Sequence, residues 1–147
     1  MFYVSFFHIG ICLFKTKIRY SGNFTESAST TFMHNGVTMT EYENEPFIVG
    51  DYLHNQIEFM HFSHKRWYTA SPYPFQKYLF GYAAVARPGK VLILGGCCDM
   101  DWSTVSLFQN DKWSKIGNLL QGRMNHMAIS YGQDIILIGG KTQIDNK

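Results

Sequence analysis

Two stretches of this chain, Tyr82–Gly96 (YAAVARPGKVLILGG) and His126–Gly140 (HMAISYGQDIILIGG), align without a gap at a spacing of 44 residues. Each reads as an apolar strand, a turn, an aliphatic strand and a double glycine. The turn is Pro88-Gly89 in one and Gly132-Gln133 in the other. Both pairs let the chain reverse tightly. A period in this range means that one supersecondary unit is being repeated, and that a unit apolar on both faces must stack on its neighbours.

A weaker copy precedes them. His34–Tyr42 is expected as its first strand and Glu45–Asp51 (EPFIVGD) as its second, with Gly50-Asp51 where the double glycine stands elsewhere. The second half of the unit repeats too. Ile57–Phe62 matches Val105–Phe108, each followed by a polar turn and then a tryptophan, Trp67 and Trp113. Period-2 alternation at Val105, Ser106 and Leu107 marks a half-buried strand. No segment carries a useful helical period. Leu119–Met127 comes nearest, and Gly122 and Asn125 weaken it.

The N-terminus is open to two readings. MFYVSFFHIGICLF is apolar enough for a targeting segment, yet no basic residue precedes it and no small-residue cleavage site follows. It is also shorter than the roughly 20 residues that cross a bilayer. Alternatively, Ile11–Phe24 resembles Val105–Leu119, with a Lys-bearing turn at 15–17, and forms the third and fourth strands of an earlier unit. The phase then divides the chain into four parts. Residues 1–32 are the tail of a preceding unit or an irregular N-terminal segment. Residues 33–75 and 76–120 are complete units, and 121–147 is the first half of a truncated one.

Four short strands per 44–46 residues, closed by tight turns, make an up-and-down sheet that stacks as a propeller blade. The pattern Arg123-x-x-His126, aliphatic strand, Gly139-Gly140, and the pattern Gly95-Gly96, variable loop, Val-Ser-Leu-Phe strand, Trp113, resemble the kelch repeat. The expected fold class is therefore all-β: a partial kelch-type β-propeller of four-stranded antiparallel blades. Gly50, Gly95, Gly96, Gly139, Gly140, Trp67 and Trp113 are its repeat signature. The chain departs from the pattern where Asp51 replaces a glycine, and where Leu79 and Tyr82 stand in for the Arg/His pair. The resemblance implies a non-catalytic platform for a protein partner, with no cofactor. It also admits a propeller-scaffold enzyme such as a galactose-oxidase-like copper oxidase.

Composition and motifs narrow the chemistry. A 46% hydrophobic content in 147 residues supports a real core, and 16% aromatics suit strands. A net charge of +2, with no basic cluster, gives no case for nucleic acid. His61-x-x-His64 with Cys97-Cys98 supplies four soft ligands, but adjacent cysteines rarely reach one tetrahedral zinc. Three cysteines, with Cys12 the third, do not make a disulfide framework. The six histidines share no ligand spacing for copper. Ser130 and His126 lie four apart on one strand without a nucleophile motif. Asn23-Phe24-Thr25 is a glycosylation triplet that matters only in a secreted protein.

Alternating strand direction places the loops 51–55, 97–102, 123–125 and 141–143 on one rim. The candidate partner-binding residues there are Asp51, Tyr52, Asp99, Asp101, Trp102, Arg123 and Asn125, with the tryptophan beside two carboxylates and opposite an arginine. Blades whose neighbours are missing expose apolar faces and strand edges, so the chain is also expected to self-associate.

Overall fold

The structure is a computed structural model, and it describes residues 2–4, 15–18, 24–32, 34, 38–50, 55–75, 78–97 and 101–142. Strands β1 (Phe2–Val4), β2 (Lys15–Ile18) and β3 (Phe24–Ser27) form a three-stranded antiparallel sheet in sequence order. Next come β4 (Met39–Tyr42), β5 (Glu45–Val49), β6 (Ile57–His61) and β7 (Arg66–Ala70), a four-stranded sheet called A here. Sheet B repeats it with β8 (Ala83–Arg87), β9 (Lys90–Leu94), β10 (Thr104–Gln109) and β11 (Lys112–Asn118). The short β12 (Arg123–Met124) pairs with β15 (Lys141–Thr142), and between them β13 (Met127–Tyr131) and β14 (Asp134–Ile138) form a hairpin. All of these pairings are antiparallel, and there is no helix among the described residues.

The turns follow from local chemistry. The β4–β5 and β10–β11 hairpins close on two residues that both have positive φ, Glu43-Asn44 and Asn110-Asp111. Such turns match the twist of paired strands, and Asn and Asp tolerate them best. At β8–β9, Pro88 fixes one turn dihedral and Gly89, at φ 65°, supplies the left-handed one.

Sheets A and B pack face to face. Phe47, Val49 and Ile57 of A meet Val91, Ile93 and Phe108 of B, joined by Tyr73, Leu79 and Tyr82 from the connection. Ring centroids of Phe47–Phe108 and Phe108–Trp113 lie 4.9 Å apart. Burial of each such side chain stabilises the fold by about 2 kcal/mol. The other face of A carries a second cluster of Ile48, Met60 and Trp67, with Ala28, Met39 and Phe62 against it. The two signature tryptophans have the same task. Trp67 Nε1 donates to the Ala28 carbonyl at 2.8 Å, and Trp113 Nε1 to the Ser71 carbonyl at 2.9 Å. Each outer strand thereby grips the segment that enters its own sheet.

Two sequence expectations are corrected. Residues 15–17, read as a turn, belong to β2. Ala28 corresponds to Ser71 through the tryptophan bonds, so β3 corresponds to the fourth strand β7, β2 to the third and β1 to the second. Lys-Thr-Lys-Ile alternates with a β-branched residue at every second position, which is strand chemistry that the two lysines hid. The first strand of sheet A begins at Met39 and not at His34. His34 precedes it, because its ring is held by two partners described below.

Candidate functional site

The double glycine is where one sheet meets the entry to the next. Gly95 has φ 61° and Gly96 φ 101°. A Cβ on Gly95 would sit 2.5 Å from the Arg123 carbonyl oxygen, and one on Gly96 3.0 Å from the Phe80 carbonyl oxygen. Only glycine accepts both the left-handed backbone and this approach. The proximity is used for hydrogen bonds. Gly96 N donates to Arg123 O at 3.0 Å, Cys97 N to Phe80 O at 2.7 Å, Gly95 N to Thr104 O at 2.9 Å and Asn125 N to Gly81 O at 2.6 Å. Gly140 repeats the arrangement 44 residues on, its virtual Cβ 2.6 Å from Met124 O.

These bonds draw several predicted rim residues together. Arg123 N donates to Trp102 O at 3.0 Å, and Leu119 N to Ser103 O at 2.7 Å. Arg123 also pairs with Thr142 across β12–β15. Trp102, Arg123, Asn125 and Lys141 therefore share one end of the sheets. Asn125 is exposed at φ 54°, the counterpart of Gly81 at φ 66°. Asp51, Tyr52 and Asp99 lie outside the described residues, as do Cys98, Cys12 and Asn23.

The charges on this rim are tied to nearby loop and backbone groups. Asp101 accepts from Ser103 N at 2.8 Å and Ser103 Oγ at 2.5 Å, from Thr104 Oγ1 at 2.9 Å and from Lys115 Nζ at 3.4 Å. The Ser103 hydroxyl leads these donors in lowering its pKa to about 2, against a smaller upward push from burial. Arg123 donates to the Gly139 carbonyl at 3.0 Å. Asp101 thus shapes the loop that presents Trp102, and Arg123 binds the next double glycine.

The remaining sequence candidates separate. His61 and His64 stack at 4.3 Å beside the β6–β7 turn, with Glu45 Oε1 3.6 Å from His61 Nδ1. Cys97 is buried at the opposite end of the sheets, so these groups share no centre. Ser130 Oγ donates to the Ala86 carbonyl at 3.3 Å, tying β13 to β8. His126 is buried, and neither ring nitrogen makes a well-formed hydrogen bond, although the Leu94 carbonyl lies near the ring. Burial, and then the nearby Arg123 charge, lower its pKa, while the Leu94 carbonyl works in the opposite direction.

One constellation was missed. Glu58 is fully buried in sheet A and accepts from Thr31 N at 2.8 Å, Phe32 N at 3.1 Å and His34 Nε2 at 2.8 Å. His34 Nδ1 lies 2.9 Å from the Gly50 carbonyl, which can only accept. Burial pushes the Glu58 pKa up, but the His34 ring and the Phe32 and Thr31 amides outweigh it and hold it below the usual value. The group fastens the entry segment onto sheet A. Its signal in the sequence was a lone charge inside Ile-Glu-Phe-Met, since a carboxylate in an apolar strand needs partners.

The chain is thus an all-β protein of stacked four-stranded antiparallel sheets, a partial propeller-like fold. No known family and no curated protein matches its sequence. Among solved structures it is similar to one titled "Structure of YjhT", with a TM-score of 0.76 and 16% identity over 89% of this chain. The match takes in 46% of that structure, so the chain spans just under half its length.

Proposed function

We propose that the chain is a non-catalytic protein-interaction module of divergent kelch-type repeats, part of a larger propeller assembly, that engages a protein partner through the rim around Trp102. The supporting observation is the convergence of loops. Three chain segments meet at Gly96, Trp102 and Arg123 through backbone bonds of 3.0 Å. Loops on a rigid scaffold are where binding residues concentrate, and a half-buried tryptophan is a frequent anchor of protein interfaces. Asp51, Tyr52 and Asp99, which the repeat pattern assigns to the same rim, belong to the same proposal. Neither nucleic acid nor a cofactor enters the reading.

The test uses peptides selected from a random displayed library on the 147-residue chain. Trp102→Ala should weaken their binding at least about tenfold, equivalent to about 1.4 kcal/mol. Lys112→Ala, at the opposite end of the sheets, should leave it unchanged. Selected peptides indifferent to Trp102, or copper-dependent formation of peroxide from a sugar alcohol, would overturn the reading.

A further inference from the structure

The packing of sheets A and B leaves a cleft of about 270 Å³ between them. The sheets come closest at their first strands, where β4 lies against β8 and β9, and they open toward the outer strands. Phe47 and Phe108 close the inner part of the gap. Farther out the cleft is lined by Tyr42, Phe59, Thr69 and Ala70 of sheet A and by Phe108 and Asp111 of sheet B. Tyr42 and Asp111 flank the β4–β5 and β10–β11 turns, at the opposite end of the sheets from the Trp102 rim. Both sheets have all four strands, so each wall of the cleft is complete.

The walls are aromatic. Tyr42 and Phe108 meet at 72° with centroids 5.4 Å apart, which makes a corner, and Phe59 is the third ring of the lining. Phe59 stacks on Tyr68 at 5.8 Å, and Tyr68 already carries a cation, the Arg66 guanidinium 5.9 Å from its ring centre. The mouth is acidic. The Tyr42 hydroxyl bonds with the Glu43 side chain and lies in the field of Asp111. Burial leads in raising its pKa and the two carboxylates add to it, against the Asn110 backbone, so the hydroxyl stays neutral. Asp111 is fixed in place, since its Oδ1 accepts from Ser71 N at 2.9 Å. The bases of sheet B stand on its far face. Phe108 pairs with Trp113 on the face toward A, whereas Gln109 pairs with Lys112 and Arg87 with Lys90 on the other.

We propose that this cleft binds a trimethylammonium group. Aromatic rings attract a cation through their quadrupoles, and an aromatic corner suits a quaternary ammonium best. A primary ammonium keeps three N–H donors, each of which needs an acceptor once water is removed. Two of the oxygens here are already engaged, Asp111 Oδ1 with Ser71 and the Tyr42 hydroxyl with Glu43. A trimethylammonium has no donor. It presents methyl groups to the rings and its charge to Asp111 and Glu43. The volume is below the roughly 300–1,000 Å³ of pockets that enclose a drug-sized ligand, so the cleft takes a head group and not a whole cofactor. That head group arrives on a small molecule of the choline type or on a trimethylated lysine of a partner. The site is separate from the Trp102 rim, and its failure leaves the rim proposal standing.

Calorimetry and ligand-observed NMR on the 147-residue chain test it with choline and with a short peptide that bears trimethyl-lysine. At least one should bind with a Kd of about 1 mM or tighter, and the tighter of the two tells which source the cleft serves. The uncharged isostere of choline, with tert-butyl in place of trimethylammonium, should bind at least about tenfold more weakly, and so should the peptide with unmodified lysine. Asp111→Asn keeps an acceptor for Ser71 and removes the charge, and Phe59→Leu removes a ring. Each should weaken binding about fivefold or more, with far-UV circular dichroism unchanged. Glu43→Gln, in the exposed β4–β5 turn, serves if either variant loses its fold. No binding of either probe at about 10 mM, equal binding of the isostere or of unmodified lysine, or binding indifferent to these substitutions would overturn the inference.

Discussion

Hairpins β8–β9 and β13–β14 follow the same apolar pattern and stand in different surroundings. Val91 and Ile93 of the first are completely buried against sheet A, while their counterparts Ile135 and Leu137 are half-buried. Leu94 is 3% exposed and its counterpart Ile138 is 56% exposed. Both strands are apolar on both faces, a pattern suited to a strand with a layer on each side. The pattern therefore records what a strand is prepared to bury. Its neighbours decide what is buried. The double glycines make the same distinction. Gly95 and Gly139 both adopt left-handed φ, at 61° and 71°. A Cβ on Gly95 would meet the Arg123 carbonyl at 2.5 Å, whereas one on Gly139 would meet nothing within 4 Å.

The largest expected effect separates these two glycines. Gly95→Ala combines strained φ with a backbone clash that no side-chain rotation relieves, and should cost about 4 kcal/mol or prevent folding. Gly139→Ala carries the φ strain alone and should cost about 1 kcal/mol. Urea unfolding of the two variants measures the gap. Equal costs would mean that Gly139 is as crowded as Gly95, and the comparison would fail.

A similar pair compares sheets A and B. Glu58 opposes Ile48 and Ser106 opposes Ile93, so they occupy matching positions, and both are fully buried. Each accepts or shares a bond from its own entry segment: Glu58 from Thr31, Phe32 and His34, and Ser106 with the Tyr73 hydroxyl at 2.8 Å. Glu58→Ala leaves two amides and a ring nitrogen without their acceptor and should cost about 3 kcal/mol. Ser106→Ala removes one neutral bond and should cost about 1 kcal/mol. The pH dependence separates them further. The Glu58 pKa is held below its ordinary 4.5 in the fold, so its stabilisation is present above that pH and fades as the pH falls through the folded value. Ser106→Ala should retain this acid sensitivity, and Glu58→Ala should lose it.

Much of this architecture was legible in the sequence, because a repeat compares the chain with itself. The double glycines, the two tryptophans and the alternating strands set the phase of sheets A and B and the all-β class. The failures have physical causes. In Lys15–Ile18, two lysines masked a strand that pairs on both sides, since a periodicity count penalises the charge at every second position. His34 looked like the start of a strand because its partners, Gly50 and Glu58, are 16 and 24 residues away. No local pattern reports a contact of that range. Asp101, read only as a rim residue, also fastens its own loop through Ser103 and Thr104, two and three residues on. Asp and Ser at this spacing form such local bonds readily, so that second role was open to reading.

The smallest expected effect is a gain at His126, the counterpart of Tyr82. The Tyr82 hydroxyl donates to the Val49 carbonyl and accepts from Thr38 N at 3.2 Å. It thereby bridges the first strand of sheet B to sheet A. His126 is shorter, and its two buried ring nitrogens lack well-formed hydrogen bonds. The carbonyl that corresponds to Val49 is Leu94. His126→Tyr places a hydroxyl within the same reach and removes both nitrogens, so it should stabilise the chain by about 1 kcal/mol. Proton linkage gives the gain a pH signature. The His126 pKa is lowered in the fold from its ordinary 6.5, chiefly by burial. The unfolded chain therefore takes up the proton first, and the parent loses stability as the pH drops below 6.5 toward the folded value. The tyrosine variant has no such group, so its advantage should widen between about pH 7 and pH 5. A variant that is less stable than the parent at both pH values would show that the junction between sheet B and β13–β14 is not a second copy of the junction between A and B. In that case the likeness of the two hairpins would stop at their sequences.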